Sequence, residues 1–163
     1  MSMNTLSAFL PHAAERAVLI ETNSAAAHMD ITPGYSSYTV AKFAIARFYQ
    51  CVAFEHPSLR IHSVHPGAID TEMSRGAGYK AKSESEAEGE ESQWKGEGAE
   101  MLSEQDHVCL PASFYVWLAS GEGEFLRGKF LWANWDVEEL KRLRERIEGS
   151  RWLNVGLQGW PFA

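Results

Sequence analysis

Several large classes of protein are excluded by what this sequence lacks. No apolar run reaches the roughly 18 residues that a bilayer-spanning helix needs, so no helical membrane span is expected. The opening MSMNTLSAFLPHAAER has neither the basic start nor the long apolar block of a secretory signal, and the expected address is cytoplasmic. Positive charge is scarce: 15 basic residues stand against 22 acidic ones, with no basic stripe, which argues against a nucleic-acid partner. The two cysteines, Cys51 and Cys109, are isolated and read as buried thiols in a reducing compartment, not as a disulfide framework. His28, His62 and His65 have no metal-ligand spacing, so no metal is expected. No internal repeat is evident.

What is present suits one folded domain over residues 1–163, with 45% hydrophobic and 12% aromatic residues. The net charge of −7 is local, because residues 80–106 carry nine acids against three lysines and so contribute −6 of it. That segment belongs to a Gly-, Ser- and Glu-rich stretch at about 74–106, read as an acidic loop inserted into the domain. Elsewhere the patterning is regular. Residues 4–15 are the tail of a helix that Pro11 kinks or ends, and AVLIETNS, residues 17–24, is a short buried strand. Residues 36–55 repeat apolar side chains at helical spacing, with Ser36 or Ser37 as N-cap. LRIHSVHPG, residues 59–67, alternates and then turns at Pro-Gly. DHVCLPASFYVWLAS resumes helical spacing despite Pro111, GKFLWANW is a strand, and DVEELKRLRERIEG is a charged helix capped by Asp136. An order of α, β, α, β, loop, α, β, α implies a parallel sheet with right-handed crossovers and helices on its faces.

In such a sheet the ligand crevice lies off the carboxyl ends of the strands. Three features fall there: Ser24 after the first strand, Tyr38 and Lys42 at the start of the next helix, and HPGAIDTEM after the second strand. Tyr38 and Lys42, four apart, share a helix face, which places an ammonium near a phenol. Tyr35 has Thr39 at the fourth position and is read as a loop aromatic lining the pocket. Asp70 and Glu72 are read as surface groups, His65 as filling the position before Pro-Gly, and Trp132 and Trp135 as core or interface aromatics on the last strand.

Ser24, Tyr38-x-x-x-Lys42 and Pro66-Gly67-Ala68-Ile69-Asp70-Thr71 together resemble the catalytic half of a short-chain dehydrogenase/reductase. The resemblance implies a partial Rossmann-like, doubly wound α/β sheet that lacks its N-terminal cofactor-binding strands. It implies catalysis by Ser24, Tyr38 and Lys42, and cofactor contacts from Tyr38, Lys42, Pro66, Gly67, Ile69 and Thr71. The implied cofactor is NADP or NAD, with NADP the family preference, and the substrate a small carbonyl compound or secondary alcohol. Helices at about 4–15 and 36–55 would serve a homo-oligomer. The chemistry agrees with these roles. A tyrosine titrates near 10, so it needs a nearby cation to act at neutral pH. Hydride transfer to a carbonyl builds charge on its oxygen, for which a serine hydroxyl and a tyrosine proton are placed donors.

The family's opening strand and Gly-rich phosphate turn are not in this sequence, nor is the helix asparagine often counted as a fourth catalytic residue. Two readings follow: a nicotinamide-dependent oxidoreductase completed by further polypeptide, or a catalytically incomplete remnant acting as an interaction or regulatory subunit. A dehydratase or isomerase on the same fold is a third. A sheet beginning at AVLIETNS is expected to leave an edge uncovered.

Overall fold

Val18–Thr22 (β1), Arg60–His65 (β2) and Phe130–Trp132 (β3) form a three-stranded parallel sheet in the order β1-β2-β3. The register pairs Val18 with Arg60 and Thr22 with Val64, then Ser63 with Phe130 and His65 with Trp132. The structure is a computed structural model, and it describes residues 2–31, 33–76 and 104–157. Most of the acidic insert expected at about 74–106 therefore lies outside the described residues.

The helices are α1 (Ser2–Phe9), α2 (Ser36–Glu55), α3 (Glu72–Gly76), α4 (Cys109–Ala119), α5 (Val137–Arg142) and α6 (Arg144–Ile147). Each follows from local chemistry. α1 gives way to a 3-10 turn at Leu10–His12, with Pro11 inside it, because proline cannot continue the α-helical bonding. Pro111 is the third residue of α4, within the first turn, where its missing N–H has no intrahelical partner to lose. Asp136 caps α5, accepting from the amides of Glu138 and Glu139. The cap expected for α2 is absent: Ser36 and Ser37 already lie in its first turn, and Tyr35 stands at the cap position without capping it through its side chain. The charged C-terminal helix breaks in two at Leu143.

Strand parity divides the core between the two faces of the sheet. Leu19 and Ile61 pack with Leu6 of α1 and with Tyr49, Val52 and Ala53 of α2. Val64 and Leu131 point the other way and pack with Phe114 and Leu118 of α4. Leu118, Leu126 and Leu131 are completely buried, each contributing about 1.5–3 kcal/mol by leaving water. Because α2 and α4 lie on opposite faces while the strands run consecutively, the two crossovers are of opposite hand. The expectation of uniformly right-handed crossovers thus fails at one of them. The preference comes from a twisted strand feeding directly into a helix that packs back. The second connection departs from that condition, since it passes through α3 and the insert before reaching α4.

The two edges differ. Beside β3, the Phe130 amide donates to the Leu153 carbonyl oxygen at 2.7 Å, and Val155 enters the core. Among the described residues β1 pairs with β2 alone, and its residues are half-buried or exposed instead of buried. The thiols also differ from expectation: both cysteines are free, but Cys51 is half-buried at the margin of the buried stripe of α2, and Cys109 is exposed at the start of α4. Among the described residues, no helix is long and apolar enough to cross a membrane.

Candidate active site

At the carboxyl ends of β1 and β2 lies a cleft of about 600 Å³, within the usual range for small-ligand pockets. Ser24, Tyr38, Lys42, Pro66, Gly67, Ile69 and Thr71, which the sequence places in a site, all line it. Tyr35 lines it as well, its ring edge-on to Tyr38 at 6.1 Å between centroids.

Tyr38 and Lys42 occupy the first two turns of α2, and the helix brings the Lys42 ammonium to 5.8 Å from the centre of the Tyr38 ring. Lys42 Nζ also donates to the Thr22 carbonyl oxygen at 3.2 Å, which ties the lysine to the last residue of β1 and leaves two of its protons for a ligand. Ser24 follows that strand. Its hydroxyl oxygen accepts from the Ala26 amide at 3.3 Å, capping the 3-10 turn Ala25–Ala27, so its own proton stays available for donation.

Asn23, which the sequence analysis did not single out, joins these parts. It is 3% exposed. Its side-chain amide donates to Glu21 Oε2 at 2.8 Å and to the Lys42 carbonyl oxygen at 3.2 Å, while its side-chain oxygen accepts from the Ser24 amide at 2.8 Å. The Asn23 backbone amide donates to Val64 at 2.7 Å. Burial raises the Glu21 carboxyl above the ordinary carboxylate range, and its bonds to Asn23 and Ser63 and the charge of Lys42 only partly offset this.

The far wall is the turn after β2. Gly67 has φ +96°, a conformation natural to glycine. Thr71 and Ser74 bond reciprocally at the start of α3, the Thr71 amide donating to Ser74 Oγ at 2.8 Å and the Ser74 amide to Thr71 Oγ1 at 3.0 Å. Asp70 and Glu72 are exposed as expected, Asp70 pairing with Arg75 at 2.6 Å. His65 is buried, and burial lowers its pKa to about 4, so the ring is neutral at physiological pH. It packs edge-on against Trp132, with centroids 4.5 Å apart. Trp132 is core, as expected, and stacks on Trp135, which lies in the turn after β3 and not on the strand. Among the described residues, no cluster of His, Cys, Asp and Glu could hold a metal ion.

The group that could hold a nicotinamide ribose, a phenol beside an ammonium with free protons, is therefore assembled, as is a backbone turn beside it. A family model described as "Enoyl-(Acyl carrier protein) reductase" matches residues 2–134. The chain is 38% identical over 144 residues to a short chain dehydrogenase/reductase of Claviceps purpurea, covering 85% of this chain and 42% of that protein. It is 35% identical to the short chain dehydrogenase/reductase nsrO of Aspergillus novofumigatus, covering 91% and 46%. The chain thus spans less than half the length of these curated relatives. Among solved structures, a short chain dehydrogenase family protein from Francisella tularensis superposes with a TM-score of 0.60 at 18% identity, covering 80% of this chain and 55% of that one. A short chain dehydrogenase from Burkholderia cenocepacia, solved in complex with NADP, gives 0.52 at 21% identity, covering 72% and 46%.

Proposed function

The chain belongs to the short-chain dehydrogenase/reductase family, and on that premise we propose that its cleft interconverts a small carbonyl compound and a secondary alcohol. The observation that carries this reading is the convergence of Ser24, Tyr38 and Lys42 on one cleft, with the Lys42 ammonium beside the Tyr38 ring. The proposed cofactor is a nicotinamide dinucleotide, NADP before NAD, in keeping with the NADP complex of the Burkholderia protein. Bound, the nicotinamide supplies a hydride to the carbonyl carbon or accepts one from the alcohol. Tyr38 delivers its phenolic proton to the oxygen on which charge develops, a step for which a positioned acid is worth about 10²–10⁴ in rate. Lys42 favours the phenolate that remains and offers its free protons to the ribose. Ser24 donates a hydrogen bond to the same substrate oxygen, holding the carbonyl toward Tyr38. Pro66, Gly67, Ile69 and Thr71 line the nicotinamide side of the cleft.

The pyrophosphate of such a cofactor calls for backbone donors outside the cleft described here, so full activity is proposed for the assembly in which this chain completes its fold. A second copy could pack on α1 and α2, where Val40, Phe43 and Phe54 are exposed. The two free thiols suit a reducing, cytoplasmic setting. Titrating NADPH and NADH against the purified chain, followed by assay with a panel of ketones and secondary alcohols, tests the proposal. Saturable but weak binding is expected, with Tyr38-dependent turnover below that of the completed assembly. A folded sample that binds neither nucleotide favours the interaction-subunit reading, and water loss or isomerisation without nucleotide consumption favours the dehydratase or isomerase.

A further inference from the structure

The Gly67–Ile69 turn is held from behind by a residue far along the chain. Asp106 Oδ2 accepts from the Ala68 amide at 2.9 Å, and the Asp106 amide donates to the Ala68 carbonyl oxygen at 2.8 Å. Ile69 and Asp106 thereby form an isolated parallel bridge. The carboxylate is fixed in turn by Asn134, whose Nδ2 lies 2.9 Å from one oxygen and 3.0 Å from the other. Asn134 follows the end of β3, where the Ala133 amide donates to the His65 carbonyl oxygen at 2.9 Å, so the clamp rests on the sheet itself. A Cβ built on Gly67 would run into the Asp106 carboxylate, which means that the turn and the aspartate touch without slack.

We infer that Asp106 is a positioning residue for nucleotide binding. It fixes the Gly67–Ile69 backbone in the form that presents this wall of the cleft to the nicotinamide end of the cofactor. The inference rests on the proposed nicotinamide reading of the cleft. Both carboxylate oxygens are engaged by donors from Ala68 and Asn134, so the side chain acts through the turn and not on a reacting atom. Its place at the end of the acidic insert makes the chain's return to the sheet and the shape of the nicotinamide wall one event.

The test uses the full chain and reduced nicotinamide mononucleotide, a probe that carries the nicotinamide and ribose and needs no pyrophosphate turn. Its fluorescence is titrated with the wild type, with Asp106→Ala and with the exchange D106N/N134D, and circular dichroism reports the fold of each. Asp106→Ala leaves the Ala68 amide without its partner and should weaken binding about tenfold. The exchange restores an acceptor for Ala68 and an opposed donor and acceptor at 106 and 134, and should bind within about threefold of the wild type. Binding by Asp106→Ala as tight as the wild type overturns the positioning role alone, as does an exchange variant no better than Asp106→Ala. If Asp106→Ala does not fold, the exchange variant decides against the wild type: binding within about threefold upholds the role, and weaker binding by a folded exchange variant overturns it. Wild-type protein that binds no probe overturns the nicotinamide reading, and this inference falls with it.

Discussion

The Lys42 ammonium is held between two groups, the Tyr38 ring 5.8 Å away and the Thr22 carbonyl oxygen at 3.2 Å. This arrangement separates the roles of the two side chains. Tyr38→Phe removes the phenolic hydroxyl, and with it the transferable proton, and should cut turnover by about 10²–10⁴ while weakening nucleotide binding less than Lys42→Ala does. Lys42→Ala should lower both rate and affinity. Steady-state rates beside fluorescence titrations check this, and a Lys42→Ala protein with unaltered affinity would remove the lysine from the nucleotide site.

Asn23 joins Ser24, Glu21, Lys42 and Val64 from a buried position. Asn23→Ala deprives the Ser24 amide and the Lys42 carbonyl of partners away from water, so a loss of about 1–3 kcal/mol in stability is expected. Turnover should also fall. Urea unfolding gives the first quantity and initial rates the second. An unchanged unfolding midpoint would show that water replaces the side chain without loss.

Gly34 and Gly67 make a controlled pair, with φ of +94° and +96°. A Cβ on Gly34 meets nothing within 4 Å, whereas one on Gly67 meets Asp106. Gly34→Ala should therefore cost only the backbone strain, about 1–2 kcal/mol. Gly67→Ala should cost about 1–3 kcal/mol more, through overpacking. Thermal unfolding of the two variants compares them directly, and equal losses would mean that the Asp106 side chain yields freely.

Stability should fall with acid in a defined window. His62 and His65 are buried, burial lowers each pKa from 6.5 to about 4, and His62 Nδ1 lies 3.0 Å from the Leu126 carbonyl oxygen. The unfolded chain binds the extra protons between these values, so this contribution is complete above pH 6.5 and is lost as the pH falls toward 4. By pH 5 the loss is about 2 kcal/mol for each ring. Glu21, raised by burial, runs the opposite way and offsets part of it near its own titration. Urea midpoints measured from pH 7.5 to 4.5 should descend through that range, and a flat profile would contradict the burial of neutral imidazoles.

Asp136 shows how far local reading carries: a cap, an acidic first turn and a basic last turn are adjacent in sequence, and the structure holds them. Ser36 and Ser37 show its limit, because the same chemistry offered a cap that the actual start of α2, one residue earlier in space, left unused. The outline of the site was legible for a related reason. Tyr38 and Lys42 are linked by the pitch of one helix, and Ser24 and Pro66-Gly67 by the rule that strand ends face the crevice.

Spacing within one element or one turn thus sets the order of elements, the parallel sheet and part of the cleft lining, namely Ser24, Tyr35, Tyr38, Lys42, Pro66, Gly67, Ile69 and Thr71. Tertiary structure alone decided what stands behind them. Asp106 meets Ala68 across 38 positions, and Asn23 reaches Lys42 across 19. Those contacts depend on how the chain returns to the sheet, as does the placement of α2 and α4 on opposite faces. No local period encodes such a return, because the bonds form only after the strands have been brought side by side.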